Sequence, residues 1–189
     1  MFAAGASAED MLPDDKDALA PFEDVGPAET TQTAPICVDD ICSYTITTYQ
    51  EIDLGGPGCY DGYRWWNEDV NTYFSDPSFS CRLRSATLCT RFCDADFLDQ
   101  PASTAELDVV QFGPYAIDIF KGENGQWEQM CWDVRTQILD NNGRSIQFVV
   151  NVDATHNSHY WAVTVDYASL KTVWDCRYPL ADIEIQAIP

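Results

Sequence analysis

The stretch Gly56–Pro77, GPGCYDGYRWWNEDVNTYFSDP, sets two tryptophans, three tyrosines and a phenylalanine between two proline-containing breaks. Whether it folds as a helix or as strands decides between an α+β and an all-β chain. Tyr63, Trp66, Val70 and Tyr73 or Phe74 recur at helical spacing and form one stripe. Asp61 offers an N-cap. Asp76–Pro77 ends the segment, because the residue before a proline is pushed out of the helical region. This spacing predicts a helix from Asp61 to Phe74 with Trp66 in the core. Trp65, about 100° round such a helix, is left at the surface as a candidate contact residue.

The flanking segments extend this reading. Ser43–Ile52 is rich in β-branched and aromatic residues and reads as a strand. CRLRSATLCTRFCDADF, Cys81–Phe97, reads as a second helix. Cys89 and Cys93, four apart, would then share a face and bridge to different elements. Arg82, Arg84 and Arg91 form a basic cluster, read as neutralising Asp94, Asp96 and Asp99.

From about Tyr115 the apolar period changes to two. Met130, Trp132, Val134, Thr136 and Ile138 alternate with Gln129, Asp133, Arg135 and Gln137. Asp140–Gly143, DNNG, reads as a hairpin turn, and Ile146, Phe148, Val150 and Val152 follow as inward-facing positions. YAIDIF, HYWAVTVDY, LKTVWDCRY and DIEIQAI complete the pattern. The expected fold is α+β: a six-stranded antiparallel β-meander covered on one side by one or two helices and held by disulfides. The alternative is a β-sandwich. The expected organisation is an acidic, proline-containing extended arm over 1–36 and one globular domain over 37–189. That domain divides into a cysteine-rich helical half, 37–100, and the meander, 101–189.

Charge and cysteine content bound the function. The 189 residues hold 31 acids and 10 bases, a net charge of −21. Such a surface repels phosphate, so nucleic acid is a poor partner, and no apolar run is long enough for membrane insertion as a helix. Eight cysteines, Cys37, Cys42, Cys59, Cys81, Cys89, Cys93, Cys131 and Cys176, lack any Cys-x-x-Cys pair, and two histidines cannot complete zinc-ribbon sites. They are expected to form four disulfides, which places the protein in an oxidising extracytoplasmic compartment: extracellular, periplasmic or lumenal. Ala6–Ser7–Ala8 resembles a signal-peptidase site.

No catalytic signature is present: there is no G-x-S-x-G, and no glycine loop of phosphate-binding type. No cofactor is expected beyond a calcium ion. Asp94, Asp96 and Asp99 are closely spaced oxygen donors, without the glycine and glutamate of an EF-hand. His156 and His159 lie in a turn beside Asp153 and are the other metal candidates. Asp133, Arg135 and Asn151, with Gln129, Gln147 and Asp153, are expected to line a polar sheet face. Trp161 or Trp65 beside it would give a sugar ring a platform. The expected function is a non-catalytic structural or interaction subunit of an exported or lumenal assembly, with a protein partner docked through the acidic arm and surface aromatics. The alternatives are a carbohydrate-binding module with a glycan ligand, or a carboxylate-dependent hydrolase.

Overall fold

The computed structural model describes residues 28–55, 58–66, 68–75, 78–98, 100–101, 105–141, 143–154 and 162–179. Among them, eleven strands and one short helix form two antiparallel sheets. The larger sheet runs in the order β1 (Glu29–Gln32), β3 (Ile41–Asp53), β11 (Ala162–Pro179), β6 (Arg82–Cys93), β9 (Trp127–Asp133). β2 (Ile36–Val38) joins it on β3, and β4 (Arg64–Trp65) on β11. The smaller sheet is β5 (Val70–Phe74), β10 (Ile146–Asn151), β7 (Val109–Phe112), β8 (Tyr115–Ile119). The architecture is mostly β and compatible with a sandwich.

Both expected helices are corrected to strands. Val70, Thr72 and Phe74 are buried while Asn71 and Tyr73 between them are exposed, a period of two. β-Branched Val70 and Thr72 favour this pleated form, and Gly62 at φ +69 would be costly inside a helix. Cys81–Phe97 behaves alike: Ala86, Leu88, Thr90 and Phe92 alternate into the core of β6. Glu29–Gln32, within the segment read as an arm, is an edge strand on β3.

The single meander is also corrected. β8 and β10 belong to the smaller sheet, whereas β9 and β11 belong to the larger one. HYWAVTVDY and LKTVWDCRY are not two strands: from Ala162 onward they fuse into the 18-residue β11, whose pairing with β6 shifts register at Val165/Tyr167 and Val173/Trp174. Asp140–Gly143 does not join a hairpin, because β9 gives way to the helix α1 (Arg135–Asp140) before the chain crosses to the other sheet. DIEIQAI lies outside the described residues.

Buried side chains of both sheets form one core. Phe74, Phe112 and Phe148 meet edge to face, with centroids 6.1 and 6.3 Å from Phe74. Phe92 of β6 stacks on Phe120, just after β8, at 3.9 Å. Trp132 Nε1 of β9 donates to Asp118 Oδ2 of β8 at 3.0 Å, a polar link between the sheets.

The eight cysteines form four disulfides, Cys37–Cys42, Cys59–Cys93, Cys81–Cys176 and Cys89–Cys131, as an oxidising environment requires. Cys37–Cys42 and Cys89–Cys131 join residues directly opposite on paired strands. Cys81–Cys176 continues the β6–β11 ladder one residue past Arg82↔Asp175. Cys89 and Cys93 do bridge to different elements, though from a strand and not from a helix.

Candidate functional site

Among the described residues, the opening segment gathers three exposed aromatics near one loop. Tyr60 is 62% exposed, Trp65 44% and Trp66 42%. Trp66 is thus a surface residue beside Trp65, which corrects its placement in the core: the turn after β4 sends both indoles outward. Tyr63 lies between, 5.8 Å from both the Tyr60 and the Trp65 ring centroids, with interplanar angles of 57° and 52°.

This loop is fastened at several points. Cys59 is bonded to Cys93 at the end of β6, and its carbonyl accepts from Thr164 Oγ1 at 2.8 Å. β4 pairs with the start of β11 through Trp65↔Ala162 and Arg64↔Val163. Glu68 Oε2 accepts the Trp65 N–H at 3.0 Å. The Tyr63 hydroxyl donates to Asp94 Oδ2 at 2.5 Å, and Gly125 N–H to Asp94 Oδ1 at 2.6 Å. Burial first, and then this bond to Asp94, raise the Tyr63 pKa far above that of a free phenol. Gly125 has φ +67, and a Cβ there would stand 2.6 Å from the Tyr60 hydroxyl, so glycine is what lets Tyr60 lie against this turn.

Directly beyond Asp94 lies a second feature that sequence reasoning missed. Asp96, Glu106, Asp108 and Asp153 are 5%, 1%, 1% and 0% exposed. They come from the segments after β6, before β7 and after β10. Glu106 Oε2 accepts the Asp96 N–H at 3.0 Å, and Asp108 Oδ1 accepts the Asp153 N–H at 2.9 Å. Burial, outweighing these bonds, raises both Glu106 and Asp108 above the ordinary carboxylate range, and the neighbouring acids add to the rise. The one available signal was the E-x-D spacing at Glu106–Asp108, which is indistinguishable from a solvated turn until the fold closes over it.

The sign of the resulting pH dependence follows. A carboxyl whose folded pKa is raised contributes stability that is fully present below about pH 4 and is lost as pH rises toward the folded value. In chelator, the melting temperature is expected to be higher at pH 5 than at pH 8. An E106Q/D108N variant should flatten that slope, which separates the buried pair from general repulsion at the acidic surface. An equal slope in the variant would show that the pair does not titrate on unfolding.

Of the expected site residues, Asp133 and Arg135 do meet. Arg135 Nη2 lies 2.8 Å from Asp133 Oδ2, and this bond holds the Asp133 carboxyl below its usual range. Both are exposed and edge an open depression with Leu83, Thr136 and Leu139. The expected polar sheet face is not assembled: Gln129 and Asp133 lie on the larger sheet, Gln147 and Asn151 on the smaller one, and Asp153 is buried. The Asp94 carboxyl accepts from Tyr63 and Gly125, while the Asp96 N–H donates to Glu106. Arg91 pairs with Asp166 at 2.6 Å and covers the Trp127 ring at 4.1 Å, and Arg84 reaches Asp175 at 4.0 Å. The acids of β11, and not Asp94 or Asp96, therefore face these arginines. Trp161, Asp99, His156 and His159 lie outside the described residues. Among the described residues, no three His, Cys, Asp or Glu side chains stand ready in metal-binding geometry.

Fold and site together define a mostly β, four-disulfide, strongly acidic protein with an anchored aromatic loop. Compared with known proteins it has no match: no family model, no curated protein and no solved structure matches the chain.

Proposed function

We propose that the protein is a non-catalytic interaction subunit of an extracytoplasmic assembly and that Tyr60, Tyr63, Trp65 and Trp66 are its docking anchor. The observation that carries this reading is the fastening of exposed aromatics by a disulfide, a strand pairing and the Tyr63–Asp94 bond. Large aromatics held rigid at the surface lose little entropy on binding and are typical interface anchors. Glu68 and Asp94 beside them, and the charge of −21, favour a partner that presents lysine or arginine. The acidic N-terminal arm, of which residues 1–27 lie outside the described ones, is a second contact in this reading.

Two observations weigh against the alternatives. The rings are inclined by more than 50° to one another, which makes a poor flat platform for a glycan chain. Glu106 and Asp108 are two neighbouring carboxyls with raised pKa values, the pattern of a hydrolase, but at 1% exposure no substrate reaches them.

Tryptophan fluorescence titration with an arginine-rich peptide and with a polysaccharide panel tests this reading. The peptide is expected to bind. A W65A/W66A variant should keep its melting temperature within a few degrees and lose roughly tenfold or more in peptide affinity, as loss of hot-spot residues does. Equal peptide affinity in the variant, or binding confined to a polysaccharide, would overturn it.

A further inference from the structure

We infer that the hairpin of β2 and β3, closed by Asp39 and Asp40, is a second docking site, and that it takes an extended partner segment of alternating apolar side chains flanked by lysine or arginine. The inference goes beyond the aromatic loop and stands without it. It gives the protein two binding ends. β11 pairs with β4 at its start, Ala162↔Trp65, and with β3 at its end, Pro179↔Ile41. Over the 18 residues of β11, a rise of roughly 3.3 Å per residue sets those ends about 55 Å apart.

Register places the apolar side chains of the hairpin on one face. Val38 lies opposite Ile41 and Ile41 opposite Pro179, a row across three strands. Ile36, two residues from Val38, shares that face. Cys37 and Cys42 fall on the other face, where Cys42 is buried. Ile36, Val38 and Ile41 are 71%, 66% and 55% exposed; the first two are the most exposed large hydrophobics among the described residues. Every residue of β1 and β2 is exposed, so this ribbon stands clear of the core.

The hairpin is also fixed in shape. Its disulfide joins directly opposite residues. Asp39 and Asp40 both take left-handed backbone, φ 48 and 62, as a two-residue turn of this kind requires. Aspartate accepts that conformation and adds charge, so two exposed carboxylates stand at the end of the apolar row. Arg177, two residues back from Pro179 along β11, leaves the tip acidic. A strip that is already rigid loses little entropy on binding.

The chemistry of the occupant follows. β2 pairs with β3, and its other edge carries no strand among the described residues. A strand added there presents every second side chain to one face, so apolar residues at alternate positions meet Ile36 and Val38. Because β2 has only 3 residues, backbone bonds are few and side chains supply most of the affinity. Bases flanking the apolar run reach Asp39 and Asp40. A second copy is a poor occupant, since it would set a charge of −21 against the same charge.

Fluorescence anisotropy of fluorescein-labelled KKVTVTVKK, with KKSTSTSKK as the charge-matched control, tests the inference on the full oxidised chain at physiological salt. The valine peptide is expected to bind, and the serine peptide roughly tenfold more weakly or worse. An I36S/V38S/I41S variant should keep its melting temperature within a few degrees, because these side chains are exposed, and lose roughly tenfold or more in affinity. The W65A/W66A variant should bind the valine peptide as the unaltered chain does, so that failure at either end is read separately from the other. No binding, equal affinity for the two peptides, equal affinity in the hairpin variant, or a loss confined to W65A/W66A overturns the proposal. Sedimentation showing a dimer that the hairpin variant abolishes would assign this face to a second copy and overturn it too. If the triple variant does not fold, D39N/D40N, whose asparagines accept the same left-handed turn, should bind several-fold more weakly; unchanged affinity in it overturns the proposal.

Discussion

Replacing Cys81 and Cys176 together by alanine is expected to lower stability by about 4–5 kcal/mol, the largest loss from any one bridge. The bond closes a loop of 95 residues, the longest of the four. A crosslink acts chiefly by restricting the unfolded chain, and the restriction grows with the logarithm of loop length, reaching about 4.7 kcal/mol near 100 residues. The same relation gives about 4 kcal/mol for Cys89–Cys131, 42 apart, and about 2 kcal/mol for Cys37–Cys42, 5 apart. Paired replacement avoids leaving a free thiol. Urea midpoints of the four double variants should therefore fall in order of loop length, with Cys37–Cys42 the mildest. If the shortest loop proved the costliest to open, restriction of the unfolded chain would not be what these bonds contribute.

Phe92→Ala is expected to cost about 3–5 kcal/mol. Phe92 is fully buried in β6 and stacks on Phe120 at 3.9 Å, where the larger sheet meets the segment after β8. Truncation removes the transfer energy of a whole ring and leaves a cavity that stacked neighbours cannot fill. For a chain of this length each kcal/mol shifts the melting temperature by about 2–4 °C, so a fall of roughly 10 °C is expected. Trp66→Ala is the contrast: its side chain is 42% exposed, and its loss should move the melting temperature far less. A calorimetric scan giving equal shifts for the two would mean that the aromatic loop packs as core.

The two substitutions also mark where local pattern was decisive and where it was not. In β10, Ile146, Phe148 and Val150 alternate with Gln147, Val149 and Asn151, a period of two; the first three are buried as expected and the others are half-buried. In Tyr63–Phe74 two periods fitted the same letters. Tyr63, Trp66, Val70 and Phe74 satisfy a helix, while Val70, Thr72 and Phe74 satisfy a strand. A helix of that length gains little by itself in water, so the partner strand β10 decided, through the pairs Val70↔Val150 and Phe74↔Ile146. Thr136 and Ile138 show the reverse: their alternation continued that of β9, yet the chain turns into α1 because it must leave one sheet for the other.

Eight cysteines without zinc spacing, and 31 acids against 10 bases, determined by composition alone that the chain is disulfide-bonded and strongly acidic. Those are sums over residues and need no fold. Which cysteines pair, which strands share a sheet and which acids are withdrawn from water are relations between residues far apart in the chain. Cys81 meets Cys176, and Glu106 and Asp108 become buried beside Asp153, only when β6, β7, β10 and β11 are brought together. Local periodicity carries no information on such contacts. Burial, which alone makes Glu106 and Asp108 unlike the many solvated acids of this chain, is a property of the closed tertiary structure.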